Sequence, residues 1–301
     1  MNSEHGINLL SLFSGIGVGE LALKELQIPI NKSFSSEINK HAIKIMQHHF
    51  PEVIQLGDIR NIDAHALPKI DLVMCGSSCQ DLSVMNKNRL GLDGHKSSLF
   101  YYAVRILNVI REKNPDCIFI FENVQMPAKD RQIFTELLGV EPININSGLL
   151  GPAWRNRLYY TNLKGVAMPE DKGIYLNDVI EGGYLPPKTK GKCVLTRNIP
   201  YTLNGLKRHL KRSIGNVIYL NKTFSELDKK SKLFELEHIK DDTTAKRLFR
   251  LMTINELCRM QTLSDNYVSS ELIPKTACVK VLGNCFTKEV VKHILSHSKF
   301  N

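Results

Sequence analysis

The sequence predicts an α/β protein: a doubly wound, mostly parallel sheet joined to a smaller irregular domain. Three observations carry this. Over the first 160 residues short apolar runs alternate with amphipathic ones, the rhythm of parallel strands joined by helices. The first apolar run ends in a glycine-rich turn, Phe13-Ser-Gly-Ile-Gly-Val-Gly19, and a helical pattern follows it. After Asn162 the rhythm stops: Gly, Pro and Lys accumulate through Gly182-Gly-Tyr-Leu-Pro-Pro187, and no strand–helix–strand repeat can be read.

In chain order, strands are expected at Ile7–Phe13, Ser33–Glu37, Val53–Ile59, Asp71–Cys75 and Cys117–Phe121, where apolar and β-branched residues cluster between turn signals. Asn144–Leu149 and Arg157–Thr161 are expected to complete one edge of the sheet. The 3.6-residue period predicts helices at Glu20–Leu26, Asn39–His49 and Ser97–Arg111. It returns at Thr253–Gln261, opened by a Thr N-cap with Glu256 three residues on, a capping box. A last helix is expected from Thr287 to about Ser296. The expected domains are 1–163, 164–248 and 249–301, the last of helices returning to the first.

Hydrophobic residues make up 43% and charged residues 23% of the 301, which excludes wholesale disorder. No apolar run approaches the roughly 18 residues of a membrane span, and the N-terminal apolar stretch has no basic region ahead of it, so neither a span nor a signal peptide is expected. Seven cysteines without framework spacing point to free thiols in a reducing cytoplasm. No metal site is expected, and a monomer is. The net charge of +10 is regional: Thr161 to Arg250 holds 18 Lys+Arg against 10 Asp+Glu, whereas the other 211 residues hold 22 against 20. Such segregation points to a polyanion partner for the later region, with Lys207, Arg208, Lys211 and Arg212 as its densest cluster.

A glycine turn at a strand's carboxyl end leaves room for a ligand beside a helix N-terminus. Phe13, Ser14, Gly15, Ile16 and Gly17 form that turn. Glu37, twenty residues after Gly17 and followed by Ile38, is placed to accept both hydroxyls of a ribose. Asp58, followed by Ile59, is placed to accept from an adenine amino group. An adenosine cofactor follows. The strict third glycine of a dinucleotide motif is missing, and Glu20 comes directly after the loop; both disfavour a pyrophosphate and favour S-adenosylmethionine over NAD.

The fourth strand runs into Gly76-Ser-Ser-Cys-Gln-Asp-Leu-Ser83 and the fifth ends in Phe121-Glu-Asn-Val124, so neighbouring strand ends present a thiol and a carboxyl to one crevice. Cys79 sits on a polar loop; Cys75, Cys117, Cys193, Cys258, Cys278 and Cys285 are read as small buried hydrophobes. Together these segments resemble the cytosine-C5 DNA methyltransferases. Phe13-Ser-Gly-Ile-Gly resembles that family's first motif, Glu37 its second, Asp58 its third and Glu122-Asn-Val its sixth. Trp154-Arg-Asn-Arg157 resembles the motif carrying two arginines, Arg250-Leu-Met-Thr-Ile-Asn-Glu-Leu-Cys-Arg-Met-Gln261 the ninth, and Leu282-Gly-Asn-Cys285, with Asn284 at the cofactor, the last. Asp81-Leu-Ser-Val-Met-Asn86 with Gly91, Leu99 and Phe100 looks locally like the mammalian de novo enzymes.

The resemblance implies a Rossmann-like S-adenosylmethionine-dependent methyltransferase fold with a target-recognition domain, and a defined chemistry. Cytosine C5 is a poor nucleophile, so Cys79 adds to C6 while Glu122 offsets charge at N3; C5 then takes the methyl group, and β-elimination frees the enzyme. Arg157 is assigned to the cytosine O2 and Arg155 to the support of thiol and base. The base must leave the duplex, at a cost of a few kcal/mol. The segment from Gln80 to Lys96 is expected to close over it, with Gln80, Ser83, Lys87 and Arg89 on the DNA and Met85 as an apolar wedge. Arg197 is a candidate reader of base edges. One departure stands out: Ser78 occupies the position where the family normally has proline, which loosens the turn that aims Cys79. The expected partner is double-stranded DNA, with the enzyme either half of a restriction–modification pair, alongside an independently acting endonuclease, or solitary or phage-borne. The alternatives are a transfer-RNA cytosine methyltransferase, since one eukaryotic branch of the family modifies that substrate, and a silent DNA-binding homologue.

Overall fold

A computed structural model describes residues 6–76, 99–196 and 200–300. The chain runs β1 (Ile7–Leu12), α1 (Val18–Glu25), β2 (Ile30–Ser36), α2 (Lys40–His49), β3 (Ile54–Gln55), β4 (Leu72–Cys75), α3 (Leu99–Lys113), β5 (Ile118–Val124), α4 (Ala128–Leu138), β6 (Ile143–Asn146), β7 (Ala153–Trp154) and β8 (Asn156–Thr161). It continues through β9 (Gly191–Lys192), α5 (Leu203–Arg212), β10 (Ile218–Tyr219), α6 (Lys222–Glu226), α7 (Lys229–Glu237), α8 (Asp242–Lys246), β11 (Phe249–Arg250), α9 (Ile254–Met260), α10 (Lys275–Asn284) and α11 (Lys288–Leu295). Two compact units result, one of residues 1–146, 156–169 and 288–301, the other of 147–155 and 170–287.

The first unit is a seven-stranded sheet ordered β3-β2-β1-β4-β5-β8-β6. β1 to β5 are parallel, and β8 runs antiparallel to both neighbours. β1 thus sends the chain outward to β2, and the chain returns to β4 on its other side, which makes the gap between β1 and β4 the switch point where ligands bind in such sheets. β4 and β5 are buried at every position, as strands covered on both faces must be. α3 buries Phe100, Ala103, Val104, Leu107 and Ile110, a stripe at helical spacing, and Phe100 stacks on Phe134 of α4 with ring centroids 3.6 Å apart. α11 packs on α1, where Lys288 and Lys292 each reach Glu25 at 2.8 Å.

Two strand expectations are corrected. β3 stops at Gln55, because Asp58 accepts from Arg60 N at 3.0 Å and caps a 3-10 turn at Ile59–Asn61. β6 stops at Asn146, because Ser147–Leu149 is also a 3-10 turn. α4 is absent from the sequence reading because only Phe134 and Leu138 of its eleven residues are buried, too sparse an apolar stripe to show a period.

In the second unit, β10 pairs with β11 and the short helices α5 to α8 gather round Leu203, Leu206, Tyr219, Phe224, Leu236 and Phe249. Each helix opens on a polar side chain that accepts from its first turn: Thr202, Asn221, Asp228 and Asp241. The capping box at Thr253 and Glu256 forms as expected. Among the described residues no helix is long and apolar enough to cross a membrane.

Candidate active site

The site is built at the carboxyl edge of the sheet. Phe13 leaves β1 with φ +53°, and Gly15 follows at φ +59° with open space where a side chain would stand, so a ligand can approach its backbone directly. Ser14 Oγ lies 2.6 Å from Ser35 Oγ, and Gly17 is the N-cap of α1. Glu37, just past β2, accepts from Gly15 N at 3.0 Å through Oε2 and from Ile38 N and Asn39 N, each at 2.8 Å, through Oε1. An ionised carboxylate has about four acceptor positions, so roughly one remains on Oε2 for a ribose hydroxyl. Ile38 is 71% exposed, an unusual position for an isoleucine and suited to an apolar ring. Open backbone, acceptor and apolar surface converge here, and they fit an adenosyl group.

Asp58 is engaged by Arg60 Nε at 3.0 Å, and this hydrogen bond with the guanidinium holds its pKa down to about 2. Ile16 and Ile59 are buried, so their side chains pack the interior. Glu20 does not stand at the loop mouth: it turns under α1, fully buried, and accepts from Ser33 Oγ at 3.1 Å. Burial pushes its pKa up to about 7. Gly19, not a third glycine in strict spacing, supplies the close helix–sheet approach, since a Cβ there would lie 2.2 Å from Met74 Cε.

Glu122 lies in β5, and β8 pairs antiparallel with it, Val124 opposite Arg157. The antiparallel direction brings the start of β8 to the same edge as the end of β5. There Arg157 Nε meets Glu122 Oε1 at 2.9 Å, with side chains 15% and 9% exposed. Cys75 of β4 pairs with Phe121, and Gly76 N donates to Leu12 O at 3.2 Å, so β4 ends between the strand that leads into the glycine loop and the strand that carries Glu122. Cys79, with Ser78, Gln80, Ser83, Met85, Lys87 and Arg89, lies outside the described residues, as does Arg197. Among the other thiols, burial pushes Cys117 to about 12 and Cys258 to about 11, so neither is a thiolate nucleophile at neutral pH.

In the second unit Arg155 is buried and donates Nη1 to Gly283 O at 3.1 Å, beside the exposed Asn284 at the end of α10. Arg250 grips Glu256 with two nitrogens at 2.8 and 2.7 Å, while Glu256 also accepts from Thr253 N and Glu181 N. The ninth-motif segment is thereby a brace inside its own unit. On α5, Arg208, Lys211 and Arg212 are exposed and Lys207 is half-buried.

A switch-point glycine loop, a carboxylate at the next strand end and an apolar side chain beside it, on a sheet of this order, define the fold as that of the S-adenosylmethionine-dependent methyltransferases. Residues 7–137 match the family model of the C-5 cytosine-specific DNA methylases. The chain is 29% identical over 245 residues to the orphan methyltransferase M.Rho11sI of Bacillus phage rho11s, covering 76% of this chain and 47% of that protein. It is 39% identical over 123 residues to the DNA (cytosine-5)-methyltransferase DRM2 of Arabidopsis thaliana, covering 36% and 20%. The chain thus spans at most about half the length of these curated relatives. The fold is similar to that of the S. pombe Dnmt2 methyltransferase, with a TM-score of 0.71 and 18% identity over 96% of this chain and 97% of that one.

Proposed function

We propose that this chain is a DNA (cytosine-5)-methyltransferase that methylates C5 of a cytosine flipped from duplex DNA within a short specific sequence. The observation that carries the reading is the Glu122–Arg157 pair at 2.9 Å, on adjacent antiparallel strands, next to the strand end from which the segment bearing Cys79 departs. S-adenosylmethionine supplies the methyl group. Glu37, Ile38 and the Phe13–Gly17 loop would hold its adenosyl part. Cys79 is assigned the bond to C6, released when the C5 proton leaves. Glu122 is assigned to ring N3, and Arg157, which fixes that carboxylate, to O2. Gln80, Ser83, Met85, Lys87 and Arg89 would close on the DNA, and Arg197 with the α5 cations would face it. The enzyme acts alone or beside an independently acting restriction endonuclease.

The deciding experiment is methyl transfer to duplex DNA and to transfer RNA by wild type and Cys79→Ser, with bisulfite sequencing of DNA from expressing cells. Transfer to DNA that vanishes in Cys79→Ser supports the reading. Transfer to RNA alone replaces the substrate, and no transfer to either, with no adduct on 5-fluorocytosine DNA, makes the chain a silent binder.

A further inference from the structure

Cations that pair with no carboxylate among the described residues collect at the C-terminal end of α5. The helix ends in Lys211-Arg212, and Ser213 caps it in the left-handed conformation at φ +50°. Lys192 of β9 donates its Nζ to Ser213 O. Lys229, the first residue of α7, donates its Nζ to Lys211 O at 2.9 Å and to Ser213 Oγ at 3.0 Å. Two ammonium groups from separate elements therefore meet at one residue, on the wall of a cavity of about 250 Å³. Burial, and then the charge of Lys229, hold Lys192 below the usual lysine range. Asp228, the nearest acid in sequence, spends its carboxylate on Lys230 N, Ser231 N and Ser231 Oγ.

The plain account is capping: cations at a helix C-terminus satisfy its last carbonyls. That account uses three of the six N–H bonds of the two ammonium groups and leaves their mutual repulsion in place. The other two lysines on the cavity wall are held away from Ser213. Lys190 bonds Gly148 O and Gly151 O and pairs with Asp171 at 3.3 Å, and Lys232 bonds Ser225 O and Leu227 O under the Tyr219 ring. Lys192 and Lys229 keep open donors, and among the described residues neither pairs with a carboxylate, which is the arrangement an oxyanion requires.

We propose that Lys192 and Lys229, flanked by Lys211 and Arg212, form a seat for one phosphate of the nucleic-acid backbone. The seat rests on the nucleic-acid reading above and deepens it. It joins residues from β9, α5 and α7 that no basic run in the sequence connects, and it adds two lysines to the cluster on α5.

The test is duplex-DNA binding by fluorescence anisotropy across a potassium chloride series, for wild type, Lys192→Gln/Lys229→Gln and Lys230→Gln. The double variant is expected to have a slope of log K against log [salt] shallower by about 0.9, the release from one phosphate contact. Lys230→Gln, which removes a charge from the next position of α7, keeps the wild-type slope. Because Lys192 and Lys229 also cap α5, lysine acetylation footprinting of the wild type gives a mutation-free reading: DNA should protect both residues and leave Lys230 reactive. A wild-type slope in the double variant, or DNA-bound wild type with Lys192 and Lys229 as reactive as in the free protein, overturns the seat while leaving the methyltransferase reading standing. Wild type that binds no nucleic acid overturns both.

Discussion

Glu20 offers a direct reading of how burial sets a charge in this fold. Its side chain is fully buried, its own backbone N–H and the Ser33 hydroxyl donate to it, and Glu52 adds repulsion. The folded pKa of about 7 stands 2.5 above the ordinary 4.5, so the folded state binds more protons than the unfolded state between those values. Stability from this group is therefore fully present below about pH 4.5 and is lost as pH rises through 7. At about 1.36 kcal/mol per pKa unit the loss is roughly 3 kcal/mol, complete by about pH 8. Glu20→Gln keeps an acceptor for Ser33 and cannot ionise, so it should gain on wild type by roughly 3 kcal/mol between pH 4.5 and 8. Urea denaturation of both proteins across that range measures the difference, in which other titrating groups cancel. A stability difference that is the same at both ends of the range would refute the argument that Glu20 is desolvated in the folded state.

Arg157→Ala should leave Glu122 buried beside no guanidinium and cost on the order of 3 kcal/mol in urea denaturation, with methyl transfer falling at least a hundredfold; Arg157→Lys should recover stability better than rate. Glu37→Ala removes the acceptor shared by Gly15 N and the expected ribose, and calorimetric affinity for S-adenosylmethionine should fall roughly tenfold to a hundredfold. Glu256→Gln breaks the two-nitrogen grip of Arg250 and should destabilise the second unit by about 2 kcal/mol or more, read as hydrogen-exchange protection lost at α9. Ser78→Pro should raise the single-turnover rate if the turn before Cys79 is loose; an unchanged rate means the turn is aimed by other contacts.

What the sequence determined by itself is local. β1, its glycine turn, α2, α3, β5 and the Thr253 capping box were legible because each is written in adjacent residues, as a period, a turn or a cap. The family and the carboxylates at strand ends were legible for the same reason, since each motif is a short string. Less was legible where helices are short: α6 and α8 carry caps but have five residues each, too few to show an apolar stripe. Tertiary structure alone decided how side chains were used. It turned Glu20 inward under α1 and reversed β8 so that Arg157 reaches Glu122. It also brought Lys192 and Lys229 to one serine. The physical reason is that a period or a cap is a property of neighbours along the chain, whereas desolvation and pairing depend on which distant segment lies opposite, and only the folded sheet and the packed helices fix that.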